Sequence, residues 1–264
     1  MRRGVVASIG LVLLGLLIQA AWMATAQFEV THHKLQAPSD KRPAIKVVQL
    51  SDLHIQRMGS YELSVLNQVK QIAPDLVVFT GDMLDRPEAL DALMAFWSGL
   101  GTVPKIAVLG NWEHWSDVDL LALKQGLEGH GGKLLVNEKL EIQLSGRVVQ
   151  LLGLDDFTAS APNAGLLETL SPGASLVLQH SPGWFQSADV VERKWQATLC
   201  LSGHTHGGQL TLFGLPLWLP RGSGGFVAGS YDLPSCALYV SRGLGTSVLP
   251  WRLGARAEIA VFEI

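Results

Sequence analysis

A chain of 264 residues with 20 lysines and arginines against 23 aspartates and glutamates carries a formal net charge of -3. It shows no basic stripe interleaved with aromatics, so nucleic-acid binding is not expected. The length suits one large domain or two small ones with a sizeable core, and the 48% hydrophobic content is concentrated towards the N-terminus. Two cysteines, Cys200 and Cys236, exclude both a disulfide framework and a cysteine-based zinc motif. Both lie in apolar, strand-like runs, where buried free thiols are expected over a single bridge.

Met1-Arg-Arg3 is followed by an uncharged, mostly apolar stretch from Gly4 to Ala26, long enough to cross a bilayer as a helix. The same stretch reads as a secretory signal, with an apolar run to Ile18 and Ala24-Thr-Ala26 as a small-residue cleavage pattern. Residues 1–26 are therefore a signal peptide or a membrane anchor. Basic residues on both sides (Arg2 and Arg3; Lys34, Lys41 and Arg42) set the orientation only softly, and an extracytoplasmic domain is the expectation. Residues 27–44, with Pro38 and Pro43 among polar residues, read as a linker to a folded domain over 45–264.

Within that domain, Ile45–Ser51 is a short β-rich run ended by Asp52-Leu-His54. Ser60–Ile72 has helical spacing and stops at Pro74. The strand Leu76–Thr80 ends in Gly81-Asp82. A helix over Pro87–Leu100 presents Leu90, Leu93, Met94 and Trp97 on one face. The strand Lys105–Leu109 ends in Gly110-Asn-Trp-Glu-His114, and Asp117 is the expected cap of a helix to Leu127. Strands follow at 133–136, 140–144 and 148–153, the last ending in Asp155-Asp156. Ser175–Gln179 ends in His180, and Ala197–Leu201 runs into Ser202-Gly-His-Thr-His-Gly-Gly-Gln209. The remainder, with Ala237–Val240 and Glu258–Ile264, is strand-like. Alternating strands and helices followed by a strand-rich end predict an α/β fold or mixed sandwich with helices outside the sheets.

Open α/β sheets bind ligands beyond the carboxyl ends of their strands. Asp52, His54, Asp82, Asn111, His180, His204 and His206 all fall at such ends. His204 and His206 are one residue apart, so in an extended backbone both imidazoles face one side, and the flanking glycines allow sharp turns. Mixed oxygen and imidazole donors suit manganese, iron or zinc better than calcium or magnesium. Seven such donors are too many for one tetrahedral ion and fit two ions sharing a carboxylate, roughly 3.5–4 Å apart.

With Asp52-Leu-His54, Gly81-Asp82, Gly110-Asn-Trp-Glu113, His180 and Gly203-His-Thr-His206 in that order, residues 45 to about 210 resemble the calcineurin-like metallophosphoesterase superfamily. The tail, with Gly229-Ser-Tyr231 and Ser241-Arg-Gly-Leu-Gly-Thr246, is similar to its bacterial membrane-associated or exported YkuE/YaeI-like branch. The resemblance implies a four-layer α/β/β/α sandwich, two mixed β-sheets flanked by helices. It implies Asp52, His54 and His206 on a first divalent ion (Mn2+, Fe2+ or Zn2+), Asn111, His180 and His204 on a second, and Asp82 bridging them. A hydroxide formed between the ions would attack phosphorus in line. Glu113 would orient a ligand from behind. The substrate would be a small-molecule or lipid-linked phosphoester or pyrophosphate, such as UDP-2,3-diacylglucosamine or a phospholipid. The alternatives are a broad-specificity envelope phosphodiesterase for soluble nucleotides and a non-catalytic metal-binding scaffold.

The family's GNH histidine is Trp112 here, and indole does not act as a general acid. Losing general-acid help costs about 10²–10⁴-fold in rate, which narrows the substrates towards good leaving groups. His114 is the candidate replacement, completing a catalytic set with Asn111 and Asp82. Arg57, Arg221 and Arg242 are candidate substrate contacts, and Asp155-Asp156 is a candidate lining of the crevice. Arg221–Gly225 reads as a flexible loop over a phosphate cradle. Leu210–Pro220, with Phe213 and Trp218, is equally a lipid-facing lip or core. His32, His33 and His130 read as ordinary surface residues.

Overall fold

The computed structural model describes residues 26–35 and 43–264. The apolar N-terminal helix expected over 1–26 lies outside the described residues. Among the described residues no helix is long and apolar enough to cross a membrane. In chain order the elements are β1 (Phe28–Lys34), β2 (Lys46–Leu50), α1 (Ser60–Ile72), β3 (Leu76–Thr80), α2 (Leu90–Gly99), β4 (Lys105–Val108), α3 (Asn111–Trp115) and α4 (Leu120–Gly129). There follow β5 (Gly132–Leu134), β6 (Glu138–Leu144), β7 (Arg147–Gly153), β8 (Ser175–Leu178), α5 (Ala188–Val191) and β9 (Leu199–Ser202). The chain closes with β10 (Thr211–Leu212), β11 (Leu215–Pro216), β12 (Gly229–Asp232), β13 (Ala237–Val240) and β14 (Ala257–Glu263).

Two six-stranded mixed sheets form, in the orders β1-β14-β2-β3-β4-β5 and β12-β13-β9-β8-β7-β6. Strand alternation sets the layers. Val47, Val78, Val108 and Phe262 of the first sheet meet Leu151, Leu176, Leu178 and Leu201 of the second. The intervening residues Val48, Val77, Phe79 and Ala107 turn outwards onto α1, α2 and α4 through Val65, Leu93, Trp97 and Leu127. On the far side Leu152, Val177 and Val240 pack beneath Trp184, Phe185 and Trp195. Strands buried on both faces need continuous apolar runs, which is why 76–79 and 176–178 lack a polar alternate. The result is the expected four-layer α/β/β/α sandwich.

Four expectations are corrected. Part of the 27–44 linker is a strand: β1 pairs in parallel with β14, from Phe28 opposite Ala257 to Lys34 opposite Glu263. Its polar residues are used by the fold, since Thr31 donates to buried Glu258 (2.6 Å) and His33 stacks on Phe262 and packs tilted against Tyr239. His33 is therefore no ordinary surface residue. The helix after α3 is capped by Asp119, whose carboxylate accepts the Leu121 and Ala122 amides, and not by Asp117. Cys200 and Cys236 form a disulfide that ties β9 to the entry of β13. The 36 residues it spans give it an expected stabilisation of about 3–4 kcal/mol. A Cys200→Ser, Cys236→Ser double variant should melt roughly 10 °C lower in a calorimetric scan.

Candidate metal centre

β2, β3, β4 and β5 of the first sheet and β7, β8, β9 and β13 of the second run parallel and present their carboxyl ends at one rim, and the loops leaving them are stitched together there. The Asp52 amide donates to the Gly81 carbonyl (3.0 Å), His54 to Asp82 (3.1 Å) and Gly203 to His180 (3.0 Å). Beneath the rim, buried Gln49 donates through Nε2 to Thr80 Oγ1 and to the Ser202 carbonyl, both at 2.9 Å, which fixes one sheet against the other.

Two clusters stand on this rim. Asp52, His54 and His206 form one; Asp82, His180 and His204 form the other; all six are buried. In the first, His54 Nε2 lies 3.3 Å from His206 Nε2, which is 3.4 Å from Asp52 Oδ1. In the second, His180 Nε2 lies 3.1 Å from Asp82 Oδ2, 3.2 Å from Asn111 Oδ1 and 3.2 Å from His204 Nδ1. Asp82 stands between the clusters, its Oδ2 also 3.8 Å from His54 Nε2. The structure thus brings together all seven residues picked out from the sequence.

In the second cluster the outer ring nitrogens are tied to the backbone. His180 Nδ1–H donates to the Thr80 carbonyl and His204 Nε2–H to the Arg221 carbonyl, both at 2.6 Å. Their other nitrogens are left facing each other, an arrangement that a shared cation satisfies. Two carboxylates, one amide oxygen and four imidazoles gathered in this way fit two divalent ions. Burial holds His204 below the ordinary imidazole range and, joined by the neighbouring His54 and Arg252, holds His206 well below it, so both favour the neutral, ligating form. Burial alone would raise Asp82, but His180 outweighs it and keeps the carboxylate ionised; Asp82 in turn raises His180 against the pull of burial.

Backbone geometry singles out the same residues. Asp52 (φ 50°), His54 (43°), Asp82 (51°), His204 (74°) and His206 (51°) all adopt the left-handed region, which non-glycine residues enter at a cost of order 1–3 kcal/mol each. Nothing in the sequence pattern signals this.

Around the ligands, Glu113 does more than the expected support of one side chain. Its carboxylate accepts the amides of Gly110 (2.8 Å), Asp82 (3.0 Å), Met83 (2.6 Å) and Leu84 (3.2 Å), clamping two ligand loops to each other. Burial, with Asp82 beside it, pushes Glu113 up to about 7. A second support was missed by sequence reasoning. Arg252 is buried, donates to the His206 carbonyl (3.3 Å) and faces the ring's Nδ1 (3.2 Å). A lone arginine inside the run Leu249–Leu253 was the available signal, since charge enters a core only with partners.

The remaining candidates divide. Asn111, Asp82, His204, His206, Trp112 and Arg221 line a cleft of about 650 Å³ at the rim. His114 does not: its Nε2 engages Asp155 Oδ1 at 2.7 Å, and Ser160 holds the other carboxylate oxygen. Asp156 likewise serves Thr158 and Ser181 rather than the cleft. Arg57 is exposed and outside the cleft lining. Arg242 is committed to Glu29 and Glu258, which places it outside the cleft as well. The Trp112 indole donates to Ser247 Oγ (3.1 Å) and its amide to Asp82 Oδ1 (2.9 Å).

The hydrogen bond from Asp155 raises His114 above the ordinary imidazole range. Burial works to raise Asp155, but its bonds from His114 and Ser160 win and hold it low. The histidine's share of stability is complete below pH 6.5 and fades as pH climbs through its raised value; the aspartate's is complete above 3.8 and fades as pH falls through its lowered one. The cost of His114→Ala should therefore be largest between these limits, on the order of 1–2 kcal/mol, and shrink towards pH 9 in urea titrations.

Comparison with known proteins agrees with this geometry. A family model for calcineurin-like phosphoesterases matches residues 45–208. The uncharacterized metallophosphoesterase YkuE of Bacillus subtilis (strain 168) is 30% identical over 257 residues, covering 93% of this chain and 88% of YkuE. Phosphodiesterase YaeI of Escherichia coli (strain K12) is 30% identical over 254 residues, 90% of this chain and 88% of YaeI. A Bos taurus transmembrane protein with a metallophosphoesterase domain is 31% identical over 270 residues, covering 93% of this chain and 58% of that protein. The chain belongs to the calcineurin-like phosphoesterase family and is a metal-dependent phosphoester hydrolase.

Proposed function

We propose that the protein hydrolyses a phosphodiester or pyrophosphate bond in an amphiphilic substrate, such as UDP-2,3-diacylglucosamine or a phospholipid. The observation that carries this reading is the character of the cleft. The ligands open onto walls made by Trp112, Trp115, Leu217, Trp218 and Leu249, which offer apolar area to acyl chains beside the polar metal residues. In this reading Asp52, His54 and His206 would hold one divalent ion and Asn111, His180 and His204 the other, with Asp82 placed between the two clusters. Bound there, two such ions lower the pKa of water and neutralise charge on a transferring phosphoryl group. Gln49, Glu113 and Arg252 keep the ligands in register. Arg221, exposed at the mouth, offers a guanidinium to the phosphate.

Neither Trp112, whose indole proton is engaged by Ser247, nor His114, turned to Asp155, supplies a proton to the departing oxygen. The leaving group therefore departs as an anion, which favours the pyrophosphate of UDP-2,3-diacylglucosamine over the alkyl ester of a phospholipid. An extracytoplasmic or membrane-anchored bacterial location fits the disulfide and the apolar N-terminal stretch.

A manganese-supplemented panel tests this reading. Bis-p-nitrophenyl phosphate and UDP-diacylglucosamine should be cleaved, and alkyl phosphodiesters should be about 10²-fold or more slower. Trp112→His should narrow that gap. Equal rates on soluble nucleotide diesters would favour the broad-specificity alternative, and no turnover of any ester with both ions bound would favour the scaffold.

A further inference from the structure

Beside the cleft stands a small hairpin, β10 and β11, joined by Phe213-Gly214. Phe213 is 95% exposed and sits in the left-handed region at φ 52°. Leu212 and Leu215 flank it, also exposed. The neighbouring 246–249 loop repeats the arrangement, with Val248 83% exposed at φ 64°. A bulky or β-branched side chain in that conformation is strained, and strain of this kind clusters at functional sites.

The two loops are clamped into one unit by Gln209, which ends the Gly-His-Thr-His-Gly-Gly-Gln motif. Its Nε2 donates to the Leu249 carbonyl (2.8 Å), and its Oε1 accepts the Ser247 amide (3.0 Å). Gly208 lets the hairpin lie close, since a Cβ there would stand 2.4 Å from Pro216 Cβ. The patch is continuous with the cleft, because Leu217, Trp218 and Val248 belong to both.

The topology adds a direction. β14 runs antiparallel to β2, with Ala260 opposite Gln49, so its first residue, Ala257, lies at the rim that β2 enters through Ser51 and Asp52. β1 is parallel to β14 with Phe28 opposite Ala257, and so the chain enters the domain at that same rim. Leu210, at the base of the hairpin, bridges Leu253 and Gly254, three to four residues before Ala257. The stretch preceding Phe28 in sequence is the apolar Gly4–Ala26. A bilayer reached by that stretch is on the side of the hairpin and the cleft.

We propose that the hairpin and the 246–249 loop form a lipid-docking lip, which seats the mouth of the metal cleft on the bilayer so that its phosphoester is taken from a lipid. Exposed Trp115 and Trp218 flank the lip, side chains suited to the headgroup layer, and Arg221 beside them is placed for an anionic phosphate. The substrate half of this inference rests on the proposed amphiphilic specificity; the docking half does not.

The test uses the full chain in vesicles of phosphatidylethanolamine and phosphatidylglycerol. With Cys200 and Cys236 paired, Phe213→Cys carries a single environment-sensitive fluorophore, and Leu63→Cys on exposed α1 is the control. Brominated lipids should quench the label at 213 at least two-fold and leave the one at 63 unchanged. A water-exposed label at 213, or a blue-shifted one that bromolipid does not quench (the N-terminal stretch folded onto the lip), overturns docking. In parallel, Phe213→Ser with Leu215→Ser should hydrolyse bis-p-nitrophenyl phosphate within two-fold of wild type. The same variant should cleave the p-nitrophenyl ester of phosphatidic acid in vesicles about ten-fold more slowly. Equal losses on both esters, or none on either, overturn the lip's part in substrate capture. If wild type cleaves neither ester, the hydrolase specificity fails, while quenching still decides docking.

Discussion

Asp82→Asn is expected to lower turnover of bis-p-nitrophenyl phosphate by about 10³-fold or more while leaving a folded protein. The substitution keeps an oxygen for the Trp112 amide that Asp82 Oδ1 accepts at 2.9 Å, so the loop retains its anchor. What disappears is the charge on the one carboxylate that reaches both clusters, 3.1 Å from His180 and 3.8 Å from His54. A single lost electrostatic contact of this type is worth several kcal/mol in a buried site, and each 1.36 kcal/mol is a factor of ten in rate. Bound metal should fall with it, from two ions to one or fewer by elemental analysis. A variant that keeps both ions and a tenth of the rate would remove Asp82 from the bridging position.

The second large effect is steric. Gly203→Ala places a Cβ 2.0 Å from Ser51 Oγ and 2.3 Å from Asp52 Oδ2. Neither can withdraw freely. Ser51 is held by Thr80 Oγ1 (2.7 Å), and the Asp52 carboxylate accepts both Ser51 Oγ (2.6 Å) and the His204 amide (2.9 Å). The new methyl must push Asp52 off its cluster, so affinity for the first ion should drop about 10–100-fold, with activity following. Gly146→Ala separates space from backbone conformation. That glycine has φ 74° but nothing within 4 Å of an added Cβ, so its replacement should cost about 1 kcal/mol in stability and leave turnover unchanged.

The ligand set was legible because each member follows an apolar run, and the ends of buried parallel strands are where such a fold gathers its chemistry. The layers were legible for the same reason: runs such as Leu76–Phe79 can only be buried on both faces. What escaped were features fixed by long-range pairing. β1 reads as polar linker because Thr31 and His33 are polar, yet their partners Glu258, Tyr239 and Phe262 lie more than 200 residues away. The thiols of Cys200 and Cys236 looked like core because each lies in an apolar run; only the adjacency of β9 and β13 joins them. His114 was placed by its nearness in sequence to Trp112, and α3 carries it instead to Asp155. The left-handed ligands and the strained tips at Phe213 and Val248 leave no trace in residue pattern at all.

The position of β14 has a consequence for how the molecule comes into being. The last seven-residue strand lies between the first two, with β1 on one side and β2 on the other. Until residues 257–263 have been synthesised, the leading sheet has a gap at its interior and Val47 and Val48 have no neighbour on that flank. A nascent chain cannot finish this layer from the front. It stays open until β14 has been made, and a product truncated before Ala257 should be a protease substrate rather than a weaker enzyme.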